Sequence, residues 1–230
     1  LNKLRKYAIT VNNIKDNEFR LDICKGYSST SASFGTEEFK KLAWIRYEIC
    51  KGILDSNRTA IYIDNDIVIK KNYEKNILKY FYEEDNLDGV FQSELDDEIC
   101  SGFFALNKNS KEKIIQILSE DFLSKNNYQN FDSDQRFFNQ IILKKENRLL
   151  NIKTLPKDNY PVGKWWYSNH KNISKKTMLI HYNYIVGDFR KILKMFRHQD
   201  YYSYDYHYVI ICYLKRLIYI IKFNLKKFYD

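Results

Sequence analysis

The sequence predicts an α/β domain in which helices flank a largely parallel sheet. Short apolar runs such as Thr59–Ile63 and Gly102–Leu106 are typical of buried strands. Stretches with helical periodicity lie between such runs, and this alternation up to about residue 120 is typical of a layered α/β domain. The chain has 230 residues, of which 44% are hydrophobic and 17% aromatic. That is enough apolar surface for one large core, and we expect one domain over residues 1–205.

The first elements are predicted before residue 60. Tyr7–Val11 is a β-rich apolar run that leads into Asn12, a residue type that favours a loop, and a second short strand is predicted near Ser28–Ala32. Thr36 is a predicted helix N-cap because two acidic residues follow it, where they suit the positive end of a helix. The helix extends to Leu54 and carries its apolar residues on one stripe.

Arg46 interrupts this apolar stripe. It lies seven residues after Phe39 and seven before Ile53, so it points where the core residues point. A guanidinium in that position needs an anionic partner, because an unpaired buried charge is costly. On spacing alone, Arg46 either extends along the edge of the stripe or pairs with a structural carboxylate.

The alternation continues beyond residue 60, and no internal repeat or long linker divides the chain. Helices are predicted at Asn72–Glu83, at Ser110–Ser119 and from Ser133 onward, and strands at Gly89–Gln92, Leu149–Ile152 and Met178–Ile180. Residues 206–230 are apolar with spaced lysines, which is typical of a basic amphipathic helix. Such a helix docks on its own domain, packs against another protomer or lies in a membrane interface.

Composition excludes some classes of protein and leaves others open. The hydrophobic and aromatic content excludes a disordered chain. With 38 Lys and Arg against 29 Asp and Glu, the formal net charge is +9, which permits attraction to phosphates, nucleic acid or anionic lipid without choosing among them. Four separated cysteines without a C-x-x-C pair indicate reduced thiols. Neither a signal peptide nor a membrane-spanning run is visible, so the expected location is the cytoplasm.

Asp64 and Asp66 are the first candidates for chemistry. They follow the apolar run Thr59–Ile63 two residues apart, so extended backbone would place both carboxylates on one side. Ligands bind at the carboxyl ends of strands in open α/β sheets. Two hard oxygen donors at that edge suit Mg²⁺ or Mn²⁺. The alternative is an ordinary turn, because D-x-D recurs in many chains.

His181 and Lys191 occur together in the stretch HYNYIVGDFRK. An imidazole added to two carboxylates is a sensible set of ligands for Mn²⁺, although a lone histidine is more often structural. Gly187 permits a close backbone approach, and Lys191 can act as a point charge on a phosphate. The alternative for the lysine is a solvated basic helix face.

Two further motifs carry polar or aromatic side chains, each open to a structural and a functional interpretation. Asp134 and Gln135 begin a helix that Ser133 can cap. Asp134 either complements the helix dipole or accepts hydrogen bonds from sugar hydroxyls, while Gln135 offers a neutral amide near a reacting carbon. Trp165 and Trp166 either stack on an acceptor or cover the core, and we expect at least one of them in the core.

Five motifs occur in the order IYIDNDIVI, CSGFFALNKNS, DSDQRFFNQ, NYPVGKWWY and LIHYNYIVGDFRK. This order and spacing resemble the D-x-D nucleotide-diphosphosugar transferases of GT-A fold, the group that includes plant pectin xylosyltransferases, galactosyltransferase-like enzymes and related viral and bacterial enzymes. The resemblance covers roughly Tyr7 to Tyr202. The stretch after Asp64 departs from the plant members, which usually have a further acidic residue and an aromatic there, so the donor sugar stays open.

The resemblance implies a GT-A fold, with a mixed, mainly parallel sheet flanked by helices and a Rossmann-like nucleotide-binding half. It implies Mn²⁺ or Mg²⁺ held by Asp64, Asp66 and His181. It also implies that the helix WIRYEICKGIL supplies an arginine to the donor, which would give Arg46 its anion. The implied donor-binding residues are Asn12, Arg46, Asp64, Asn65, Ser101, Gly102, Gly187 and Lys191, and the implied catalytic residues are Asp134 and Gln135.

The implied reaction moves a hexose or pentose from a nucleotide sugar, expected to be a UDP-sugar, to a hydroxyl group of a glycan or protein. The metal and Lys191 would stabilise charge on the leaving diphosphate. The resemblance favours retention of anomeric configuration, by front-face attack with Gln135 near the oxocarbenium-like centre. No specific nucleic-acid partner is expected. The alternatives are a basic nucleic-acid-binding protein, a metal-dependent phosphodiesterase or nucleotide-sugar hydrolase, and a non-catalytic nucleotide-sugar binder.

Overall fold

The structure is a computed structural model. It describes residues 35–64, 66–95, 98–144, 148–163, 165–166, 176–183, 185, 190–191 and 194–195. The strands predicted at Tyr7–Val11 and Ser28–Ala32 lie outside these residues, as does the predicted C-terminal helix, whose membrane contact stays a prediction. No helix among the described residues is long and apolar enough to span a bilayer.

The described elements follow one another in the order the sequence pattern indicates. They are α1 (Glu37–Asp55), β1 (Ala60–Ile63), β2 (Ile67–Ile69), α2 (Glu74–Glu83), β3 (Gly89–Leu95), β4 (Glu98–Leu106), a 3₁₀ turn (Lys108–Ser110), α3 (Lys111–Ile117), α4 (Glu120–Lys125), a second 3₁₀ turn (Tyr128–Asn130), α5 (Asp134–Phe137), a π-helix (Phe138–Ile142), β5 (Ile152–Leu155) and β6 (Leu179–His181). They fall into two compact units, one holding the described residues before 65 together with Tyr73–Pro156, the other holding Asp66–Asn72 and the described residues from Lys157 onward.

The first unit is built on a mixed four-stranded sheet in the order β1-β4-β3-β5. β4 pairs antiparallel with both β1 and β3, and β5 pairs parallel with β3. The predicted fold class, an α/β fold with a mixed sheet flanked by helices, is confirmed. The prediction also made the sheet mainly parallel, whereas among the described strands of this sheet only β3 and β5 pair in parallel. The strand predicted at Leu149–Ile152 is wrong by three residues, since β5 begins at Ile152. Leu149 instead donates its N–H to the carbonyl of Ile142, the last residue of the π-helix.

Helix α1 forms where its cap and apolar stripe predict it. Oγ1 of Thr36 accepts the N–H of Phe39 at 3.2 Å, which confirms the predicted N-cap. The buried face of the helix brings Tyr47 into an aromatic stack, 5.3 Å from Phe104 of β4 and 4.5 Å from Phe138 of the π-helix between ring centroids. Aromatic pairs of this kind add about 0.5–1.5 kcal/mol each beyond the area they bury. The stack fixes α1 against the sheet.

β4 has a bulge opposite β3 over residues 101–103, which include two of the implied donor-binding residues. The register against β3 passes from Phe91 opposite Phe104 to Gln92 opposite Cys100. Bulges re-aim backbone and side chains and are frequent next to active sites. This one presents Ser101 and Gly102, and the carbonyl of Gly102 accepts the N–H of the residue that follows β1 at 2.8 Å.

The second unit pairs β2 antiparallel with β6, so that Ile67 lies opposite His181. Val162 bridges His181 from the other side. Trp166 is 7% exposed and packs with Ile180 and other buried side chains, so the expectation of one tryptophan in the core is confirmed. A Cβ on Gly163 would lie 2.3 Å from the carbonyl oxygen of Asn183, which explains the glycine in NYPVGKWWY.

Candidate active site

Asp66 is the centre of an ionic cluster in the second unit. It is buried in the turn before β2, while His181 ends β6. Nε2 of His181 lies 3.1 Å from Oδ1 of Asp66, and the ammonium group of Lys191 contacts Oδ2. The pairing of β2 with β6 therefore brings together three residues that the sequence singled out far apart in the chain.

The electrostatics of this cluster keep Asp66 ionised. Burial alone would raise the pKa of the Asp66 carboxyl. The hydrogen bond and charge of His181 outweigh burial, with the charge of Lys191 adding to them, and the pKa lies well below its ordinary value of 3.8. The result is a buried carboxylate that is anionic at neutral pH, which is the form that binds a metal ion.

Asp64 follows β1 and is held by three groups of the first unit. Its N–H donates to the carbonyl of Gly102 at 2.8 Å. The hydroxyl of Tyr62 donates to Oδ1 at 2.6 Å, and Nη1 of Arg46 lies 3.9 Å from Oδ2. The carboxylate orientation is therefore set by neighbours on β1 and α1.

Arg46 finds its anionic partners within the chain. Its side chain is 11% exposed, and its Nε lies 3.7 Å from Oδ2 of Asp134. Nη1 donates to the carbonyl oxygen of Ser101 at 2.8 Å and to its Oγ at 3.1 Å. Burial would lower the pKa of Arg46, but the charges of Asp134 and Asp64 raise it well above its ordinary value. Of the two alternatives that spacing left open, pairing with carboxylates is the one found.

Asp134 is buried at the start of α5. Ser133 caps that helix by accepting the N–H of Arg136 at 3.3 Å, as predicted. The hydroxyl of Tyr47 donates to Oδ2 of Asp134 at 2.9 Å, on the same oxygen that faces Arg46. The carboxylate is therefore tied through one oxygen to α1.

Gln135 and a residue that the sequence did not single out hold the bulged part of β4. Oε1 of Gln135 accepts the N–H of Ser101 at 3.1 Å. Asn139, four residues further on, accepts the N–H of Ile99 at 2.9 Å and donates to its carbonyl at 3.2 Å. The spacing of four between the two amides in DQRFFN was the available signal, since such residues share a helix face.

Of the other predicted site residues, some lie within the described part of the chain and some lie outside it. Ser101 and Gly102 lie in the bulge described above, and Trp165 is half-buried. Asn12, Asn65 and Gly187 lie outside the described residues, so their contacts with a donor stay predictions.

A metal ion fits the donors of the second unit. Asp66 and His181 offer ligand atoms that lie 3.1 Å apart. Carboxylate oxygens are the ligands of Mg²⁺ and Mn²⁺, and an imidazole is compatible with a transition metal such as Mn²⁺. The pair is therefore able to supply two ligands to a divalent cation.

A known glycosyltransferase shares this fold, and two others are similar in part. A glycosyltransferase involved in the glycosylation of the major capsid of PBCV-1 superposes with a TM-score of 0.50 at 10% identity, over 79% of this chain and 89% of that chain. Mouse xyloside xylosyltransferase 1 gives 0.46 at 12% identity over 63% and 64% of the two chains. GlyE of Streptococcus pneumoniae TIGR4 gives 0.44 at 14% identity over 72% and 46%. This chain thus spans less than two thirds of the latter two, and the likeness in fold rests on the first.

The fold and the family model together define the class as a glycosyltransferase of GT-A fold. A family model described as nucleotide-diphospho-sugar transferase matches residues 10–195. The chain therefore belongs to the nucleotide-diphospho-sugar transferase family, and membership implies a nucleotide-sugar donor and a glycan acceptor. A search of curated proteins finds no match.

Proposed function

We propose that this protein is a metal-dependent glycosyltransferase that moves a hexosyl or pentosyl group from a UDP-sugar to a hydroxyl acceptor. The observation that carries the proposal is the buried pair of Asp66 and His181, with Nε2 of the histidine 3.1 Å from the carboxylate. Together with Asp64, this pair would hold Mn²⁺ or Mg²⁺. A bound cation of this kind neutralises negative charge that develops on a leaving diphosphate.

The donor diphosphate is assigned to Lys191. Its ammonium group already lies at the ionic cluster, in contact with Asp66. An ammonium is a compact point charge that suits phosphate oxygens. A diphosphate bound near Asp66 and His181 would therefore fall within reach of this lysine.

The sugar is assigned to Asp134 and Gln135. Oδ2 of Asp134 is engaged by Tyr47 and faces Arg46, so Oδ1 is the oxygen that we assign to a sugar hydroxyl. The side-chain oxygen Oε1 of Gln135 accepts one hydrogen bond from the N–H of Ser101 and has a second lone pair for an oxocarbenium-like centre.

Front-face attack with retention of configuration is the mechanism that we propose. A carboxylate that is stabilised by a hydrogen-bonding hydroxyl and a guanidinium is a weak nucleophile, and Asp134 has both. NMR assignment of the product anomer tests this step, and an inverted product would contradict it.

The metal and donor are tested by a thermal-shift panel of UDP- and GDP-sugars with and without Mn²⁺. We expect one UDP-sugar to raise the melting temperature in a metal-dependent way, because ligands that bind only the folded state stabilise it. Asp66→Ala should abolish this shift. Asp55→Ala is the matched control, since Asp55 is a carboxylate of an exposed ion pair with Lys111. Equal shifts in Asp66→Ala and the wild type would remove Asp66 from the site.

A further inference from the structure

Tyr62 is a residue of β1 that belongs neither to the predicted metal ligands nor to the predicted donor-binding residues. It precedes Asp64 by two positions, so the two side chains lie on the same side of the extended chain. Its hydroxyl donates to Oδ1 of Asp64 at 2.6 Å, a short hydrogen bond of the kind made to an ionised acceptor.

The ring of Tyr62 is itself fixed. It stacks on Phe104, with ring centroids 5.2 Å apart and an interplanar angle of 23°. The guanidinium carbon of Arg46 lies 5.0 Å from the centroid of the Tyr62 ring, within the range of a cation–π contact.

These contacts limit how the Asp64 carboxylate can turn. Tyr62 binds Oδ1, Arg46 lies 3.9 Å from Oδ2, and the backbone N–H of Asp64 is bound to Gly102. A ligand held in one orientation loses little rotamer freedom when it binds a metal ion, and hydrogen-bond partners of metal ligands change metal affinity by about 10- to 100-fold.

We infer that Tyr62 is a positioning residue, which orients Asp64 for a divalent cation through its hydroxyl. This inference rests on the proposed function, because it requires Asp64 to be a metal ligand. Tyr62 would not touch the donor or the reacting atoms, and its effect would appear first in the affinity for the metal alone.

The test is a titration of Mn²⁺ alone into the full chain, with free Mn²⁺ measured by electron paramagnetic resonance. Tyr62→Phe removes the hydroxyl and keeps the ring on Phe104, and it should weaken Mn²⁺ binding about 10-fold or more. Tyr128→Phe is the control. The hydroxyl of Tyr128 makes only a 3.5 Å contact with the carbonyl of Lys40, and its loss should leave Mn²⁺ affinity unchanged.

The outcomes separate this inference from the proposed function. If the wild type and Asp64→Ala bind Mn²⁺ equally or not at all, the metal site itself is wrong. If Asp64→Ala loses Mn²⁺ while Tyr62→Phe binds as the wild type does, only the role of Tyr62 is wrong. Melting temperatures of the metal-free variants complete the test. A Tyr62→Phe variant that melts as the wild type does but binds Mn²⁺ weakly supports positioning, whereas affinity lost only in proportion to stability contradicts it.

Discussion

The first ionic cluster, around Asp134, and the second, around Asp66, each stabilise a buried carboxylate, but they do so with different cations. Asp134 faces Arg46, a guanidinium that stays protonated and also binds Ser101 at two atoms. Asp66 faces an ammonium and an imidazole, which are Lys191 and His181. Arginine forms a directional contact that holds several groups at once, whereas lysine is a point charge on a flexible stem. The first cluster is therefore suited to a fixed framework, and the second to an exchange of partners.

The largest effect on stability is expected from removing the cation of the first cluster. Arg46→Leu would leave Asp134 and Asp64 without their shared cation, and removing one partner of a buried ion pair costs about 3–5 kcal/mol. Urea unfolding at pH 7 measures this loss. Arg136→Leu is the control, because Arg136 forms an exposed pair with Asp132 that is worth less than about 1 kcal/mol. If Arg46→Leu were no less stable than the control, Arg46 would not be holding the first cluster together.

The sequence predicted the contacts of the first cluster only in part, and Arg46 shows why. Its place on an apolar stripe required an anion, which is a local argument, and an anion is found. Which anion it is depends on how β1 and α5 pack against α1, and spacing within one helix does not carry that information. The cap at Thr36 was predictable for the opposite reason, since its bond to Phe39 spans three residues.

The residues that the sequence missed make contacts that exist only in the folded sheet. Asn139 binds the backbone of Ile99, which lies 40 residues away in the sequence and close to the bulge of β4. In the sequence, Tyr62 is simply one residue of the buried strand, and its hydrogen bond to Asp64 becomes visible only in the structure. The start of β5 was misplaced because Leu149 and Leu150 are as apolar as strand residues but pack with the helical segment.

A smaller effect is expected at Lys191, where one substitution should change the affinities for metal and nucleotide in opposite directions. A divalent ion bound by Asp66 would repel an ammonium group on the same carboxylate, so Lys191 and the metal ion compete for Asp66. A diphosphate, in contrast, attracts both cations. Lys191→Met should therefore bind Mn²⁺ alone about 10-fold more tightly. In the presence of Mn²⁺ it should bind UDP about 10-fold more weakly. Each change corresponds to about 1.4 kcal/mol.

Isothermal titration of Mn²⁺, and of UDP with saturating Mn²⁺, measures the two affinities. Lys79→Met provides the control, because Lys79 is exposed and pairs with Glu83 one helical turn away. Neither affinity should change in that variant. If both affinities fell together in Lys191→Met, the lysine would support the metal site rather than compete for it, and the second cluster would resemble the first.

The smallest effect is expected in the pH dependence of the unfolding free energy. It tests whether the charge of Asp66 or only its shape stabilises the second cluster. Because the folded-state pKa of Asp66 lies well below 3.8, the stabilisation is complete above that ordinary value and is lost as the pH falls through the folded-state pKa. The difference in unfolding free energy between the wild type and Asp66→Asn should therefore shrink by about 1 kcal/mol between pH 5 and pH 3. Urea unfolding across this range measures the difference, with the exposed Asp55→Asn expected to show a small gap that hardly varies. A gap for Asp66→Asn that stays constant with pH would mean that the ion pairs with His181 and Lys191 do not stabilise the fold, and that the carboxylate is kept there for the ligand alone.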